Sequence, residues 1–369
     1  MRDVLFVAGE ASGDLHAAGV ARELRERNAP YRLVGIGGDA MRDAGVELIE
    51  HVEQLAVMGF VEVLRHVPKH WALLRDLKQR IRSGNTALVI LIDYPGFNMK
   101  LAAEAVSAGV PVLYYITPQV WAWGAGRLAK LAKTVTRAAV ILPFEEKLLA
   151  EHGVATTFVG HPLLDRAEHL PTRAEARAQL GVPVESTLLA LFPGSRAQEI
   201  ARHLEPFVAT ARELERRRPG LHVVVSAAPS VRLDESACPY PIVRSASFSV
   251  LRAADAAMCK SGTTTLEAAV AGCPLVVAYR TNALTYAAAR RLVKIPNIGL
   301  VNVVAGRQVA PEFVQDALDP PRVATELTRL LTDASYADTQ RAALAGVRAK
   351  LGTPGAAGRV ARMISELAG

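Results

Sequence analysis

Nine short, uniformly apolar runs, separated by amphipathic stretches, constrain this 369-residue chain more than any other feature. They fall at residues 4–8, 33–36, 88–92, 112–115, 139–142, 187–192, 223–227, 256–259 and 275–278. Helical patterns lie between most of them, as at 17–27, 101–108, 200–217 and 264–271. A strand that is apolar on both faces belongs in a sheet covered by helices on both sides. Regular alternation of such strands with helices predicts right-handed crossovers and a doubly wound α/β architecture. A hydrophobic share of 50% with only 5% aromatic residues suits helices packed on parallel sheet.

The chain is long enough for two cores, and the series divides near residues 162–183. That stretch holds three prolines and then Thr172-Arg173-Ala174-Glu175, a helix start with an acid at its third position. A second β–α series follows. The expected organisation is one Rossmann-like domain at 1–165, another at 166–345, and a helical segment at 346–369. The break at Gly352-Thr353-Pro354-Gly355 lets the last helix cross back to the first domain or to a partner chain.

The formal charge of +7 serves either solubility or attraction to anions. No zinc-finger spacing or basic arm with interleaved aromatics occurs, which argues against nucleic acid as a partner. Cys238, Cys259 and Cys273 form no paired spacing and read as reduced structural thiols. The N-terminal apolar run is too short for a signal peptide, and no stretch reaches the ~20 apolar residues that span a bilayer. A soluble protein, or one resting on a membrane surface, is expected. His66 and His70 have helical ligand spacing but no third partner, and no Asp-x-Asp occurs, so no metal or cofactor is expected.

Ligands of open α/β sheets bind beyond the carboxyl ends of the strands. After the run at 256–259 comes Ser261-Gly262-Thr263, opening a helix that carries Glu267. Uncapped N–H groups and the helix dipole there suit a diphosphate, with Glu267 for a ribose; an ordinary capped helix start is the alternative. Gly194-Ser195-Arg196, after 187–192, repeats the logic with a guanidinium that can fork onto phosphate oxygens. Neither loop is a Walker A sequence. In the first half, Glu10, Ser12, Gly13 and Asp14 follow the opening run without a GxGxxG spacing. They form either a polar floor for a second substrate or a tight strand–helix turn. Asp93, in Asp93-Tyr94-Pro95-Gly96-Phe97-Asn98, ends another run. Apolar neighbours would lift its pKa toward that of a working base, although an Asp capping a proline turn reads the same. His161 reads as structural. The basic amphipathic stretch at 60–81, with Val63, Leu64, Val67, Trp71 and Leu74, suits either a membrane interface holding acyl chains or a helix packed on the sheet. The aromatic cluster Tyr114-Tyr115 to Trp121-Ala122-Trp123 suits a cleft wall or a domain interface.

Taken in order, Gly9-Glu10-Ala11-Ser12-Gly13-Asp14, Asp93-Tyr94-Pro95-Gly96-Phe97-Asn98, Pro118-Gln119-Val120-Trp121-Ala122-Trp123, Leu142-Pro143-Phe144-Glu145, Gly160-His161-Pro162, Pro193-Gly194-Ser195-Arg196 and Ser261-Gly262-Thr263 resemble the lipid-A-disaccharide synthases, over residues 4–331. The resemblance implies a GT-B fold, two Rossmann-like domains facing across a cleft. It also implies a metal-independent, inverting transfer from UDP-2,3-diacylglucosamine to 2,3-diacylglucosamine 1-phosphate, giving a β-1,6 disaccharide and UDP. Asp93 would be the base, and Glu10, Ser12, Gly13, Asp14 and Asn98 would line the acceptor side. Gly194, Ser195, Arg196, Ser261, Gly262, Thr263 and Glu267 would hold UDP, with uracil near 244–248. Asn302, Glu312 and Gln315 stand where the family touches donor sugar or phosphate. The family context places the protein on the cytoplasmic face of a Gram-negative inner membrane, touching phospholipid through 60–81, and allows a segment-swapped homodimer. Two rivals remain: a GT-B UDP-sugar 2-epimerase, whose crevice carboxylates and histidines this chain largely lacks, and a non-catalytic sugar-nucleotide-binding module.

Overall fold

The computed structural model describes the chain apart from residues 55–59, 120–124, 229, 230, 232, 234–237, 283–285 and 287–295, and apart from the side chains at 60–67, 125 and 127. It forms two compact units, Met1–Pro162 with Thr353–Gly369, and Leu163–Gly352. The expected boundaries at 165/166 and 345/346 fall inside the helices Leu163–Arg166 and Ala334–Lys350.

The first unit is built on seven strands: β1 (Arg2–Ala8), β2 (Tyr31–Gly37), β3 (Glu47–His51), β4 (Thr86–Ile92), β5 (Val112–Tyr115), β6 (Arg137–Val140) and β7 (Thr156–Phe158). All pair in parallel, in the order β3-β2-β1-β4-β5-β6-β7. Successive side chains of a strand point to opposite faces. Leu5, Val7, Val89 and Leu91 therefore meet Leu73, Leu77, Phe97 and Leu101 of the helices Phe60–Arg82 and Pro95–Ser107. Val4, Phe6, Leu88 and Ile90 face the other way, onto Ala17, Val20 and Leu24 of the helix Ala11–Glu26. Both faces are covered, which is why these strands are apolar at every position.

The C-terminal helix Ala356–Ala368 completes that second face with Val360, Ala361 and Ile364, all fully buried. Burying a Val or Ile side chain is worth about 1.5–3 kcal/mol, so the tail is part of this core. Small residues let it approach: a Cβ on Gly19 would sit 3.4 Å from the Ala357 Cβ. Arg359 Nε donates to the Val159 carbonyl and Arg2 to that of Ala368, both at 2.8 Å.

In the second unit β8 (Leu188–Phe192), β9 (His222–Ala227), β10 (Ile242–Arg244), β11 (Ala256–Lys260), β12 (Leu275–Tyr279) and β13 (Glu312–Val314) form a parallel sheet in the order β10-β9-β8-β11-β12-β13. Leu189, Leu191 and Val225 pack against Phe207 and Leu214 of the helix Ala197–Arg217 and Leu327 of the helix Pro320–Thr332. Thr172 opens the helix Arg173–Leu180 with a capping box: its hydroxyl accepts from the Glu175 N–H while Glu175 accepts from the Thr172 N–H at 2.8 Å.

Strand order reverses once in each sheet, between β1 and β4 in the first unit and between β8 and β11 in the second. The chain leaves neighbouring strands toward opposite faces there, opening a crevice beyond their carboxyl ends. Among the described residues, no helix is long and apolar enough to cross a membrane.

Candidate active site

In the second unit β8 and β11 are paired, with Phe192 opposite Cys259. Pro193-Gly194-Ser195-Arg196 and Ser261-Gly262-Thr263 therefore emerge side by side at the switch point. Gly194 has φ +138°, and a Cβ there would lie 2.6 Å from that of Glu199, so the turn requires glycine. The helices Ala197–Arg217 and Thr264–Ala271 start from these loops, and neither Arg196 nor Thr263 caps them through a side chain. Their leading N–H groups and dipoles favour an anion. Lys260 adds a cation; its Nζ lies 2.7 Å from Glu199 Oε1, while Glu199 Oε2 accepts from the Ser195 N–H at 2.9 Å. Glu199 and Lys260 were not among the residues expected to bind the donor. Their signals were an acid in the first turn after Arg196 and a lysine ending an apolar strand.

Glu267, 8% exposed, is held at 3.2 Å by Arg166 Nη1. The Arg166 guanidinium in turn stands 5.2 Å over the Phe248 ring. Arg166 thus ties the residue expected at a ribose to the 244–248 stretch expected near uracil.

In the first unit β1 and β4 are paired, with Ala8 opposite Ile92. Gly9 and Asp93 consequently leave the sheet together. The Tyr94 ring lies directly on Gly9, where a Cβ would come within 2.2 Å of it. Asp93 and Tyr94 both have φ +48°, a left-handed pair without glycine that costs on the order of 1–3 kcal/mol per residue. Three contacts enforce it. Asn98 Nδ2 and the Tyr114 hydroxyl each donate to the Asp93 carbonyl at 2.7 Å, and the Tyr94 ring stacks on Phe97 at 5.6 Å. Burial first, and then the Asp93 charge, push the Tyr114 hydroxyl far above its usual range, so it stays a donor. The half-buried Asp93 side chain is set on a rigid, strained turn at the switch point, as functional carboxylates often are.

Over residues 4–354 the chain matches the family model for lipid-A-disaccharide synthetase. It is 42% identical over 373 residues to the lipid-A-disaccharide synthase of Geobacter sulfurreducens, covering 99% of this chain and 97% of that protein. The chain belongs to the lipid-A-disaccharide synthase family. This synthase is a glycosyltransferase that condenses lipid A precursors. Its fold is GT-B: the S. aureus MnaA–UDP structure superimposes with a TM-score of 0.68 at 12% identity, covering 99% of this chain and 96% of that one. The kitacinnamycin glycotransferase gives 0.65 at 18%, covering 99% of both chains.

Several residues expected to touch substrate in this synthase also hold its framework. Asp14, 6% exposed, accepts the N–H groups of Gly38, Ala40 and Met41 at 2.7, 3.1 and 3.0 Å, capping the helix Asp39–Asp43. Gly13 is buried where a Cβ would come 3.3 Å from that of Ala8, so its role is close helix–sheet packing. Asn98 is fully buried and holds the Asp93 turn. Asn302 is also fully buried: its Oδ1 accepts from Val309 and Ala310, and its Nδ2 donates to the Ala310 carbonyl and Glu312. Glu312 also accepts from the Ile298 and Gly299 N–H groups, and Gln315 clamps both backbone groups of Thr281. Ser261 spends its hydroxyl proton on the Ile298 carbonyl and its N–H on that of Ala278, so it shapes the loop and donates nothing outward. Glu10, Ser12 and Thr263 remain exposed.

The helix Phe60–Arg82 places the residues expected at acyl chains differently from one another. Leu74 is 4% exposed and packs into the core, whereas Trp71 is 59% exposed under the Lys100 ammonium, 4.6 Å from the ring. A groove of about 640 Å³ runs along this face between Pro68, Trp71, Arg75 and Arg82. The side chains of His66, Val63, Leu64 and Val67, and the whole of Trp121-Ala122-Trp123, lie outside the described residues. Among the described residues no cluster of three His, Cys, Asp or Glu side chains is placed to hold a metal.

His161 is 4% exposed, and burial, aided by His16, pushes its pKa down to about 3 from 6.5. The folded protein holds it neutral while the unfolded chain takes up a proton below 6.5. Its contribution to stability is therefore complete above pH 6.5 and is lost as pH falls toward 3, at up to about 1.4 kcal/mol per pH unit. Urea melts between pH 7 and 4 should show a shallower pH dependence for His161→Gln than for the wild type; parallel curves would remove His161 as a source.

Proposed function

We propose that this synthase transfers the diacylglucosamine unit of UDP-2,3-diacylglucosamine to the 6-hydroxyl of 2,3-diacylglucosamine 1-phosphate, with inversion, releasing UDP. The observation that carries this reading is the pair of helix-opening loops, Gly194-Ser195-Arg196 and Ser261-Gly262-Thr263, side by side at one switch point. A solved neighbour of the same fold was determined with UDP, which agrees with that assignment. Negative charge develops on the departing diphosphate, and donors fixed in advance stabilise it without reorganising. Arg196 and the peptide N–H groups take this role, and Glu267 takes the ribose. Asp93 accepts the proton of the attacking hydroxyl as it adds to an oxocarbenium-like C1, in a single displacement. Glu10 and Ser12, exposed after β1, whose last residue pairs with that of β4, contact the acceptor.

The deciding assay supplies purified protein with both acylated substrates, with and without chelator, and follows UDP. UDP should form only when both are present and should be indifferent to chelator. An epimerase would instead convert the UDP-sugar alone, and a binding module would release nothing. Arg196→Ala should lower turnover by about 10²- to 10³-fold, the usual effect of deleting one donor to a developing oxyanion; an unchanged rate takes Arg196 out of the site.

The exposed Trp71 and the cation above it suit the headgroup–acyl boundary, which supports the reading that this face rests on the cytoplasmic leaflet of the inner membrane. Trp71→Ala should reduce co-sedimentation with anionic phospholipid vesicles several-fold. Equal partitioning of variant and wild type would confine Trp71 to the protein surface.

A further inference from the structure

The space between the two anion loops is taken by a side chain of the protein itself. Glu199, with a side chain only 16% exposed, places one oxygen 2.7 Å from Lys260 Nζ and the other 2.9 Å from the Ser195 nitrogen. The carboxylate also lies against Gly194, whose missing Cβ would come 2.8 Å from Oε2. Lys260 reaches toward the second loop, since a Cβ on Gly262 would be 3.8 Å from its Nζ. The carboxylate therefore engages a peptide N–H of one loop and a cation that reaches to the other. A diphosphate seated at this switch point would need those same donors.

We propose that Glu199 is the built-in counter-ion of this cradle, and that an arriving nucleoside diphosphate displaces it from the Ser195 N–H and from Lys260, making Lys260 a diphosphate-binding residue. The proposal rests on the donor-site reading above.

Electrostatics supports the exchange. Lys260 is 18% exposed, and a cation that far out of water needs a partner when no ligand is present. Burial works to raise the Glu199 carboxyl, but Lys260, the Ser195 N–H and Arg196 hold it below its usual value, so it is ionised at neutral pH. The Tyr279 ring, 5.8 Å from Nζ, and His203, whose Nδ1 bonds the Glu199 carbonyl at 2.7 Å, keep the ammonium and the helix backbone in place during the swap. A diphosphate carries more charge than a carboxylate and can span both loops at once, so it wins both partners.

The test is UDP affinity, measured by calorimetry on wild type, Glu199→Gln, Lys260→Met and Lys260→Arg, with a melting curve for each. Lys260→Met should weaken UDP about 10- to 100-fold, the range for a hydrogen bond to a charged group, and Lys260→Arg should recover most of it. Glu199→Gln should bind UDP severalfold more tightly, because the competing carboxylate is gone. Weaker binding by Glu199→Gln, with an unchanged melting curve, would make Glu199 a fixed clamp and overturn the proposal. Unchanged affinity in Lys260→Met would overturn it as well. If Glu199→Gln fails to fold, a crystal of the wild type with UDP decides: a carboxylate still bonded to Lys260 and Ser195 refutes the exchange. Failure of the wild type itself to bind UDP would instead reject the donor-site reading beneath it.

Discussion

Asp93→Asn should lower turnover by about 10²- to 10⁴-fold, the usual contribution of a positioned general base, while leaving UDP affinity within error of the wild type. Asparagine is the informative replacement. At φ +48° a residue without a short polar side chain adds strain, so Asp93→Ala would mix a backbone effect with the chemical one. Asn tolerates the left-handed region. The bonds that hold this turn, from Asn98 and from the Tyr114 hydroxyl, end on the Asp93 backbone carbonyl and survive the substitution. The amide keeps the shape and loses only the capacity to take a proton. Turnover within a few-fold of the wild type would exclude Asp93 as the base. A parallel loss of UDP affinity would mean that the residue acts on the donor or on the fold.

The strands that sequence patterning missed share one position in the fold. Glu47–His51, Thr156–Phe158, Ile242–Arg244 and Glu312–Val314 are the four edge strands of the two sheets. Each has a neighbour on one side only and is mostly half-exposed, so it carries Glu, His, Thr or Arg and never builds an apolar run. The nine interior strands are buried on both faces and announce themselves. The doubly wound architecture was legible for the same reason, since crossovers of one hand leave few ways to wind such a series.

For the site, the loops are legible in the sequence as glycine-bearing strand ends, whereas the framework bonds of some polar residues are not. Asp14, Asn98 and Asn302 sit in motif-like surroundings, and a polar residue in a glycine-bearing turn reads as a ligand contact. In each case a backbone segment needs those polar atoms more than a ligand does: the turn at 38–41, the left-handed Asp93 carbonyl, the loop at 309–310. Peptide groups that would otherwise lack partners are the common cause, and their partners come from five to eight residues away for Asn98 and Asn302 and from 24 to 27 residues away for Asp14. Glu199 shows the converse. An acid three residues after Arg196 looks like ordinary helix-start chemistry, and only the parallel pairing of β8 with β11 brings it to Lys260, sixty-one residues away.

The largest stability effect should come from Arg177. It is fully buried on the helix Arg173–Leu180, and each of its three guanidinium nitrogens has a partner. Nε donates to the Ala253 carbonyl at 3.0 Å, and Nη1 to those of Pro183, Val184 and Ser186 at 2.8, 2.7 and 2.8 Å. Nη2 meets Asp255 Oδ2 at 2.8 Å. Asp255 Oδ2 also accepts the Leu188 N–H at the start of β8, so one side chain fastens the entry of the second unit to the strand that carries the Ser195 loop. Removing one partner of a buried ion pair typically costs 3–5 kcal/mol, and losing this guanidinium takes the donor from four carbonyls at once, although Asp255, 27% exposed, keeps Arg173 at 2.6 Å. Arg177→Met should therefore lose on the order of 3–5 kcal/mol in urea unfolding, read in the transition of the second unit. Arg177→Lys should recover little, since an ammonium cannot reproduce a planar fork spread over four carbonyls and a carboxylate. A loss below about 1 kcal/mol, the level of an exposed pair, would show that water replaces the guanidinium and that this staple is dispensable.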